Sequence, residues 1–247
     1  AFNYKIQALF FKLCYWVADS CIIVSQSDLK NIFKVSSLKK KLSYSEHVIN
    51  TKLFIADVPK EKIFTSIVWM GDEGNVVRKG VDKALQIFAE LKKIPEFVDY
   101  RFVIIGRKGE GEVLVRSIID KYNLKGSVEL KGEVSEEDKI NLLKQSKYYF
   151  QLSLYEGFGL AALEALCANN IIIHSGKGGL ANPIYKEQLL FDIDNDFDSE
   201  LLKLVNKLAC FTPITSYDNL LEYYDIQRRK DDFEAIIVNG KSNYKLK

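Results

Sequence analysis

Downstream of residue 60, the chain alternates short apolar runs with longer segments in which apolar residues recur every three or four positions. The short runs predict buried strands, and the periodic segments predict amphipathic helices. This alternation predicts an α/β fold, a Rossmann-like parallel sheet with helices on both faces. The predicted strands are 64–71, 101–106, 127–132, 148–153, 170–175 and 189–193, and the predicted helices are 81–94, 112–124, 135–146, 158–168 and 198–210.

The two ends of the chain have a less regular pattern. Near the start it predicts a helix at 4–18, a strand at 21–25, a short helix at 27–33 and a basic loop or linker at 36–48. The last segment, 213–247, is typical of one or two helices. These terminal segments lie outside the regular alternation of the central part.

Glycine recurs where predicted strands give way to loops, at Gly71, Gly106 and Gly132 among others. Ligands of parallel sheets bind beyond the carboxyl ends of the strands. Each glycine alone is typical of a tight turn, but together they indicate backbone that approaches a ligand closely.

Two carboxylates occur in a segment that is otherwise almost uncharged, LYEGFGLAALEALCANNIIIHS. Glu164 falls on the same predicted helix stripe as Leu160, Leu163 and Cys167, so once buried it needs a hydrogen-bond donor. A salt bridge to a lysine elsewhere in the fold and a ligand with hydroxyl groups, such as a ribose, satisfy this need equally well.

Glu156 lies in the loop before the same helix, where an anion near a helix N-terminus is favourable. The amides of Phe158, Gly159 and Leu160 have no preceding turn to accept them. Since Gly157 and Gly159 leave room for close approach, these amides could bind a phosphate. The segment therefore fits a site for a nucleotide sugar.

Composition argues against several other kinds of protein. A net charge of +2 with 28% charged residues disfavours nucleic-acid binding by bulk electrostatics. The basic runs at 39–41 and 228–230 are typical of solvated faces, with a phosphate or membrane patch as the alternative. Four cysteines without a CxxC pair indicate reduced thiols in a cytosolic protein. Two histidines without metal-ligand spacing disfavour structural zinc.

The segment SLYEGFGLAALEAL resembles the signature of retaining glycosyltransferases of family 4, which have the two-domain GT-B fold. That signature is E-x7-E with an intervening Phe-Gly, and Glu156 and Glu164 have this spacing. The resemblance extends over about residues 16–209, because four further segments resemble family motifs in order: VADSCIIVSQSDLKNI, RKGVDKALQIFAEL, RFVIIGRKGEGE and VELKGEVSEEDKINLLKQS.

The resemblance implies a role for each matching residue. Lys79 would contact the donor diphosphate and Glu156 the donor sugar, and these two are the candidate catalytic residues. Glu164 would hold the ribose hydroxyls, and Val134 would lie near the base. The remaining candidate donor-binding residues are Arg78, Arg107, Gly157, Phe158, Gly159 and Leu160.

Enzymes of this family generally need no metal, because lysine, arginine and helix amides stabilise the leaving diphosphate. We therefore expect no metal and no other cofactor, with a UDP- or GDP-sugar as substrate. One departure from the family pattern is Asp72, which stands where an arginine usually helps to bind diphosphate. Arg78 or Arg107 could supply the missing charge.

The resemblance also implies domain boundaries. Residues 1–47 would be the last elements of an N-terminal acceptor domain plus a linker, and residues 48–212 the donor-binding domain. Residues 213–247 would form C-terminal helices that cross back to the N-terminal domain. The acceptor-binding half would come from a longer chain or a partner polypeptide. We therefore expect this chain alone to bind a donor weakly and to transfer little.

The predicted function is transfer of a sugar from a nucleotide-diphosphate sugar, with retained anomeric configuration, to a saccharide, lipid or protein acceptor. The alternative is a degenerate, non-catalytic member that binds nucleotide sugar or scaffolds a partner. A Rossmann-type oxidoreductase is disfavoured because GRKGEGE lacks the G-x-G-x-x-G spacing. The expected location is the cytoplasm, with peripheral contact at the inner membrane face as a further expectation.

Overall fold

The computed structural model describes residues 2–25, 41–55, 58–211 and 218–239. Within these residues the helices are α1 (Phe2–Val17), α2 (Glu73–Arg78), α3 (Val81–Leu91), α4 (Glu112–Lys121), α5 (Glu136–Gln145), α6 (Leu160–Cys167), α7 (Phe197–Cys210), α8 (Asp218–Tyr223) and α9 (Ile226–Asn239). The strands are β1 (Cys21–Ile23), β2 (Leu42–Tyr44), β3 (Glu61–Ile67), β4 (Arg101–Ile105), β5 (Val128–Gly132), β6 (Ser146–Gln151), β7 (Ile171–His174) and β8 (Leu189–Leu190). Short 3₁₀ helices cover Thr51–Leu53, Pro95–Phe97, Gly178–Ala181 and Pro183–Tyr185.

Six of the strands form one parallel sheet in the order β5-β4-β3-β6-β7-β8. The predicted Rossmann-like α/β fold is thus confirmed. After β3 the chain builds β4 and β5 outward on one side, then returns to place β6 on the other side of β3. The connections leaving β3 and β6 therefore run in opposite directions, and a crevice opens between them at the carboxyl edge.

Apolar side chains alternate between the two faces of this sheet. Phe64, Tyr148 and Phe150 point to one face, where the ring of Phe64 stacks on the other two with centroids 4.6 and 5.1 Å apart. Helices α3, α4 and α7 cover this face. Tyr149 and Ile172 point to the opposite face, which α5 and α6 cover. Both faces are dry, so strands read as continuous apolar runs.

The segment before the main sheet differs from its predicted loop. Leu42–Tyr44 forms β2, which pairs in parallel with β1. The prediction of a loop or linker across 36–48 is therefore wrong for these three residues. A three-residue strand among lysines and serines has no periodicity of its own, and its pairing with β1 decides the conformation. The helix predicted at 27–33 lies outside the described residues.

Helix α2 is a second element that the hydrophobic pattern does not predict. Asp72 is its N-cap, and the Asp72 carboxylate accepts a hydrogen bond of 2.6 Å from the amide of Asn75. Side-chain caps of this kind satisfy an amide that the first turn leaves free. The helix is only six residues long, too short for a visible apolar stripe.

The search for membrane spans covered the described residues. Among them, no helix combines the length and the apolar character needed to cross a bilayer.

Candidate functional site

The crevice between β3 and β6 contains a cavity of about 310 Å³. Strand ends, the α2–α3 junction and the start of α6 all contribute to its walls, as the crossover of the sheet requires. Its lining residues are His47, Ile67, Lys79, Gln151, Glu156, Phe158, Gly159, Leu160 and Ala161. Five of the residues predicted from the sequence therefore lie together here: Lys79, Glu156, Phe158, Gly159 and Leu160.

Lys79 lies where α2 ends and α3 begins. The next residue, Gly80, has φ +70°, and a Cβ at that position would stand 2.0 Å from the carbonyl oxygen of Leu152. Glycine thus allows the junction to press against the backbone that follows β6. This contact brings the Lys79 ammonium to 2.6 Å from Oε1 of Glu156, with the two side chains only 21% and 14% exposed.

The Glu156 carboxylate is held by three donors on one oxygen. Besides Lys79, Oε1 accepts from Nε2 of Gln151 at 2.8 Å and from Oγ of Ser153 at 3.1 Å. Gln151 is 4% exposed and accepts in turn from the Tyr149 hydroxyl at 3.1 Å. Among the described residues, no donor lies within hydrogen-bond distance of Oε2. The carboxylate is therefore fixed by one oxygen and keeps the other for a ligand.

The N-terminus of α6 forms the second wall of the cavity. Gly159 is its N-cap with φ +88°, and the amides of Phe158, Gly159 and Leu160 have no acceptor among the described residues. Nothing lies within 4 Å of a Cβ built at Gly157, so that approach is open. The free amides and the helix dipole make this wall favourable for an anion.

A glycine loop supports this wall from behind. The amide of Gly179 donates to the carbonyl of Glu156 at 2.6 Å, and a Cβ at Gly178 would lie 2.2 Å from the same oxygen. The loop after β7 thus fixes the backbone on which Glu156 stands.

Glu164 lies on α6 but does not line the cavity. Its Oε1 accepts from Lys139 on α5 at 2.9 Å, and Lys139 also pairs with Glu136 at 2.7 Å. Burial raises the pKa of Glu164, although Lys139 opposes this shift. Burial alone would lower the pKa of Lys139, but its bonds to Glu136 and Glu164 raise it. The salt bridge that the sequence left open is thus present.

The other predicted residues lie away from the cavity. Arg78 is exposed, and its Nη2 donates to Oδ1 of Asn75 at 2.5 Å. The side chain of Arg107 is also exposed, while its carbonyl accepts from the amide of Met70 at 2.9 Å. Val134 is half-buried against the apolar cluster under β4. The structure brings none of these three into the group around Lys79 and Glu156.

The glycines after β4 have a role different from the predicted one. A Cβ at Gly106, Gly109 or Gly111 would lie 2.1 to 2.5 Å from carbonyl oxygens of residues 68–72. These positions therefore admit a neighbouring backbone rather than a ligand. The interpretation of strand-end glycines as ligand contacts is wrong here, because a one-dimensional pattern cannot distinguish the two kinds of close approach.

His47 and Gln151 are the polar lining residues that sequence reasoning missed. The sequence signal for Gln151 is its polar side chain within the apolar run YYFQLS. His47 is 109 residues before Glu156 in sequence, and no local pattern indicates its position. Glu46 holds it there, because its buried carboxylate accepts from Asn182 at 2.9 Å and from the Tyr224 hydroxyl at 3.1 Å.

A larger cavity, of about 730 Å³, lies between residues 51–55 and helices α8 and α9. It is remote from the strand ends and from the Lys79–Glu156 pair. Because ligands of open α/β sheets bind at the switch point, we assign the functional site to the smaller crevice.

Comparison with protein families matches residues 74–209 to the family described as glycosyl transferases group 1. A GDP-mannose:cellobiosyl-diphosphopolyprenol alpha-mannosyltransferase of Xanthomonas oryzae pv. oryzae is 32% identical over 163 residues, which are 58% of this chain and 40% of that protein. A phosphatidylinositol N-acetylglucosaminyltransferase subunit from Arabidopsis thaliana is 25% identical over 215 residues, covering 85% and 46%. The chain spans less than half the length of these curated relatives.

Solved structures share the fold. Sucrose-phosphate synthase from Thermosynechococcus elongatus superposes with a TM-score of 0.68 at 21% identity, covering 96% of this chain and 60% of that one. Anabaena HepE, solved in complex with UDP and glucose, gives 0.69 at 11% identity, covering 94% and 66%. At such identities the likeness concerns the fold alone.

Proposed function

Because the chain belongs to the family of glycosyl transferases group 1, we propose that its crevice binds a nucleoside-diphosphate sugar as donor for sugar transfer. The observation that carries this proposal is the pairing of Lys79 with Glu156 beside the free amides that begin α6. This arrangement offers cationic and amide donors to a diphosphate and a fixed carboxylate oxygen to a sugar hydroxyl.

In the proposed transfer, the bond between the anomeric carbon and the diphosphate oxygen breaks, and the acceptor oxygen bonds to that carbon with configuration retained. Negative charge develops on the leaving diphosphate. Lys79 and the amides of Phe158, Gly159 and Leu160 stabilise it, and their positions are set before the reaction begins. We propose that these groups suffice without a metal ion.

Glu156 and Glu164 have separate roles in this proposal. Oε2 of Glu156 accepts a hydrogen bond from the transferred sugar and orients it over the crevice. Glu164 accepts from the ribose hydroxyls while Lys139 keeps its second carboxylate oxygen in place. The ribose then lies further along α6 than the sugar, outside the cavity itself.

The acceptor and its binding half are part of the proposal. Since the chain spans less than half of its curated relatives, we propose that it binds the donor weakly on its own and transfers little. An acceptor-binding half, on the same polypeptide or a partner, then completes the site. A saccharide, lipid or protein acceptor is compatible with this arrangement.

Titration of the chain with UDP- and GDP-sugars by calorimetry or NMR tests the proposal. Losing a hydrogen bond to a charged group costs about 1.5–3 kcal/mol, so Glu156→Gln and Glu164→Gln are expected to weaken binding by roughly ten- to 150-fold. Glu90→Gln, at an exposed pair with Lys93 on α3, is the matched control and is expected to bind as the wild type does. Failure of the wild-type chain to bind any of these donors would refute the proposal.

Transfer assays with the acceptor-binding half restored distinguish this function from that of a non-catalytic member. Transfer that requires Lys79 and Glu156 supports catalysis. Donor binding without transfer to any acceptor in the panel favours the non-catalytic alternative.

A further inference from the structure

His47 is a polar lining residue of the cavity for which the mechanism above has no role. It shares the cavity with Lys79 and Glu156, yet it comes from the segment before the main sheet. Its imidazole is half-buried, and contacts on several sides fix its position. Resting on the donor site proposed above, the following argument concerns what this ring does there.

Two neighbours orient the ring. Its edge meets the ring of Phe158, with centroids 5.4 Å apart and planes at 75°. On its other side, Nη1 of Arg229 on α9 lies 3.3 Å from Nδ1 of His47 and donates to the carbonyl of Glu46 at 2.7 Å. The buried Glu46 network anchors the preceding residue. The ring plane and the position of Nδ1 are therefore both set.

The contact with Arg229 determines the tautomer. A guanidinium can only donate hydrogen bonds, so Nδ1 must accept and carries no proton. The single proton of the neutral ring is then on Nε2. Burial and the Arg229 charge both lower the pKa of His47, which favours this neutral form.

Nε2 has no acceptor among the described residues. An N–H group at the wall of a ligand cavity, on a ring held by its surroundings, is preorganised to donate to whatever fills that cavity. We propose that Nε2–H of His47 donates a hydrogen bond to an oxygen of the sugar–diphosphate part of the donor. Arg229 acts as a positioning residue that selects the donating tautomer.

This arrangement couples α9 to the donor site. Arg229 does not line the cavity, so its effect on the donor passes through the imidazole. Loss of Arg229 frees Nδ1 and allows the other tautomer, in which Nε2 can no longer donate. The effects of changing His47 and Arg229 on donor affinity are therefore expected to be non-additive.

NMR can observe the tautomer directly, because the chain has only two histidines, His47 and His174. Long-range ¹H–¹⁵N spectra of the wild-type chain near pH 7.5 are expected to show an unprotonated Nδ1 and a protonated Nε2 for His47. Assignment uses the His174→Leu variant. A His47 ring with its proton on Nδ1, or a doubly protonated ring, would overturn the proposal without any variant of His47 being needed.

Donor titrations test the contact itself. His47→Leu removes the N–H, so the affinity for the nucleotide sugar is expected to fall about tenfold or somewhat less, as for one neutral hydrogen bond. His47→Gln, whose side-chain amide can place an N–H close to the position of Nε2, is expected to restore most of that affinity. Arg229→Met is expected to weaken binding in the wild type but not in His47→Leu. The matched control is Arg228→Met, at the neighbouring arginine that pairs with Asp232.

The outcomes separate this inference from the proposed function. If the wild-type chain binds no nucleotide sugar, the proposed function fails. If it binds and His47→Leu binds equally well, only the role of His47 is refuted. A response of Nε2 to UDP alone places the accepting oxygen on the diphosphate, and a response only to the sugar nucleotide places it on the sugar.

Discussion

The Lys79–Glu156 pair gives the sharpest prediction, because its two side chains are mostly buried and lie 2.6 Å apart. Replacing Lys79 by Met keeps the length of the side chain and removes its charge. Glu156 then retains only Gln151 and Ser153 as donors. An under-satisfied, mostly buried carboxylate costs about 2 kcal/mol, which for a domain of this size lowers Tm by roughly 4–8 °C.

The matched control is Lys62→Met at the opposite edge of the sheet. Lys62 pairs with Asp99 at 3.1 Å, but the two side chains are 59% and 70% exposed. Exposed pairs contribute about 0–1 kcal/mol, so this variant is expected to melt within roughly two degrees of the wild type. The two substitutions have the same chemistry and differ in burial.

The same variants report on the donor site. Lys79→Met removes a charge-assisted hydrogen bond to the diphosphate, so donor affinity is expected to fall at least about tenfold, while Lys62→Met leaves it unchanged. Urea unfolding, thermal melting and donor titration measure the two effects independently. Equal stability losses for both variants, together with wild-type donor affinity for Lys79→Met, would refute the assignment of this pair.

Two further predictions concern stability. Gly80→Ala is expected to destabilise the chain by more than about 2 kcal/mol, because Gly80 has φ +70° and its Cβ would meet the Leu152 carbonyl, whereas Gly157→Ala has open space and is expected to change the urea midpoint little. Burial lowers the pKa of His174 to about 4, so between pH 6.5 and 4 the unfolded chain binds a proton that the folded chain does not. The free energy of unfolding is therefore expected to fall by up to about 3 kcal/mol as pH falls through this window. His174→Leu lacks this contribution, and an equally steep pH dependence of its urea unfolding would contradict the argument.

Much of the fold could be predicted from the sequence, because the patterns that specify it are local. The prediction of a helix at 81–94 is confirmed as Val81–Leu91, and the strand predicted at 101–106 as Arg101–Ile105. Burial of an apolar stripe or run is dictated by spacing along a few turns of chain. The six-residue α2 and the three-residue β2 escaped prediction because neither is long enough to have a spacing.

The candidate site was predictable in part. The E-x7-E segment and Lys79 could be identified as a group, and Lys79 and Glu156 do meet in the crevice. Arg78 and Arg107 could not be excluded from sequence alone, since only the fold shows that both side chains face solvent. For Glu164, the choice between a salt bridge and a ligand depended on the position of Lys139, which packing of α5 against α6 decides.

By itself, the sequence determined the alternation of strands and helices, the apolar character of both sheet faces and the carboxylates that begin and follow the Gly-Phe-Gly turn. Only the tertiary structure decided which distant groups meet. Residues 79 and 156 come together because β6 returns beside β3, and His47 joins them because Glu46 and Arg229 anchor it from other segments. The physical reason is that local spacing sets burial, whereas strand order and packing, which set the distances between side chains, depend on contacts across the whole chain.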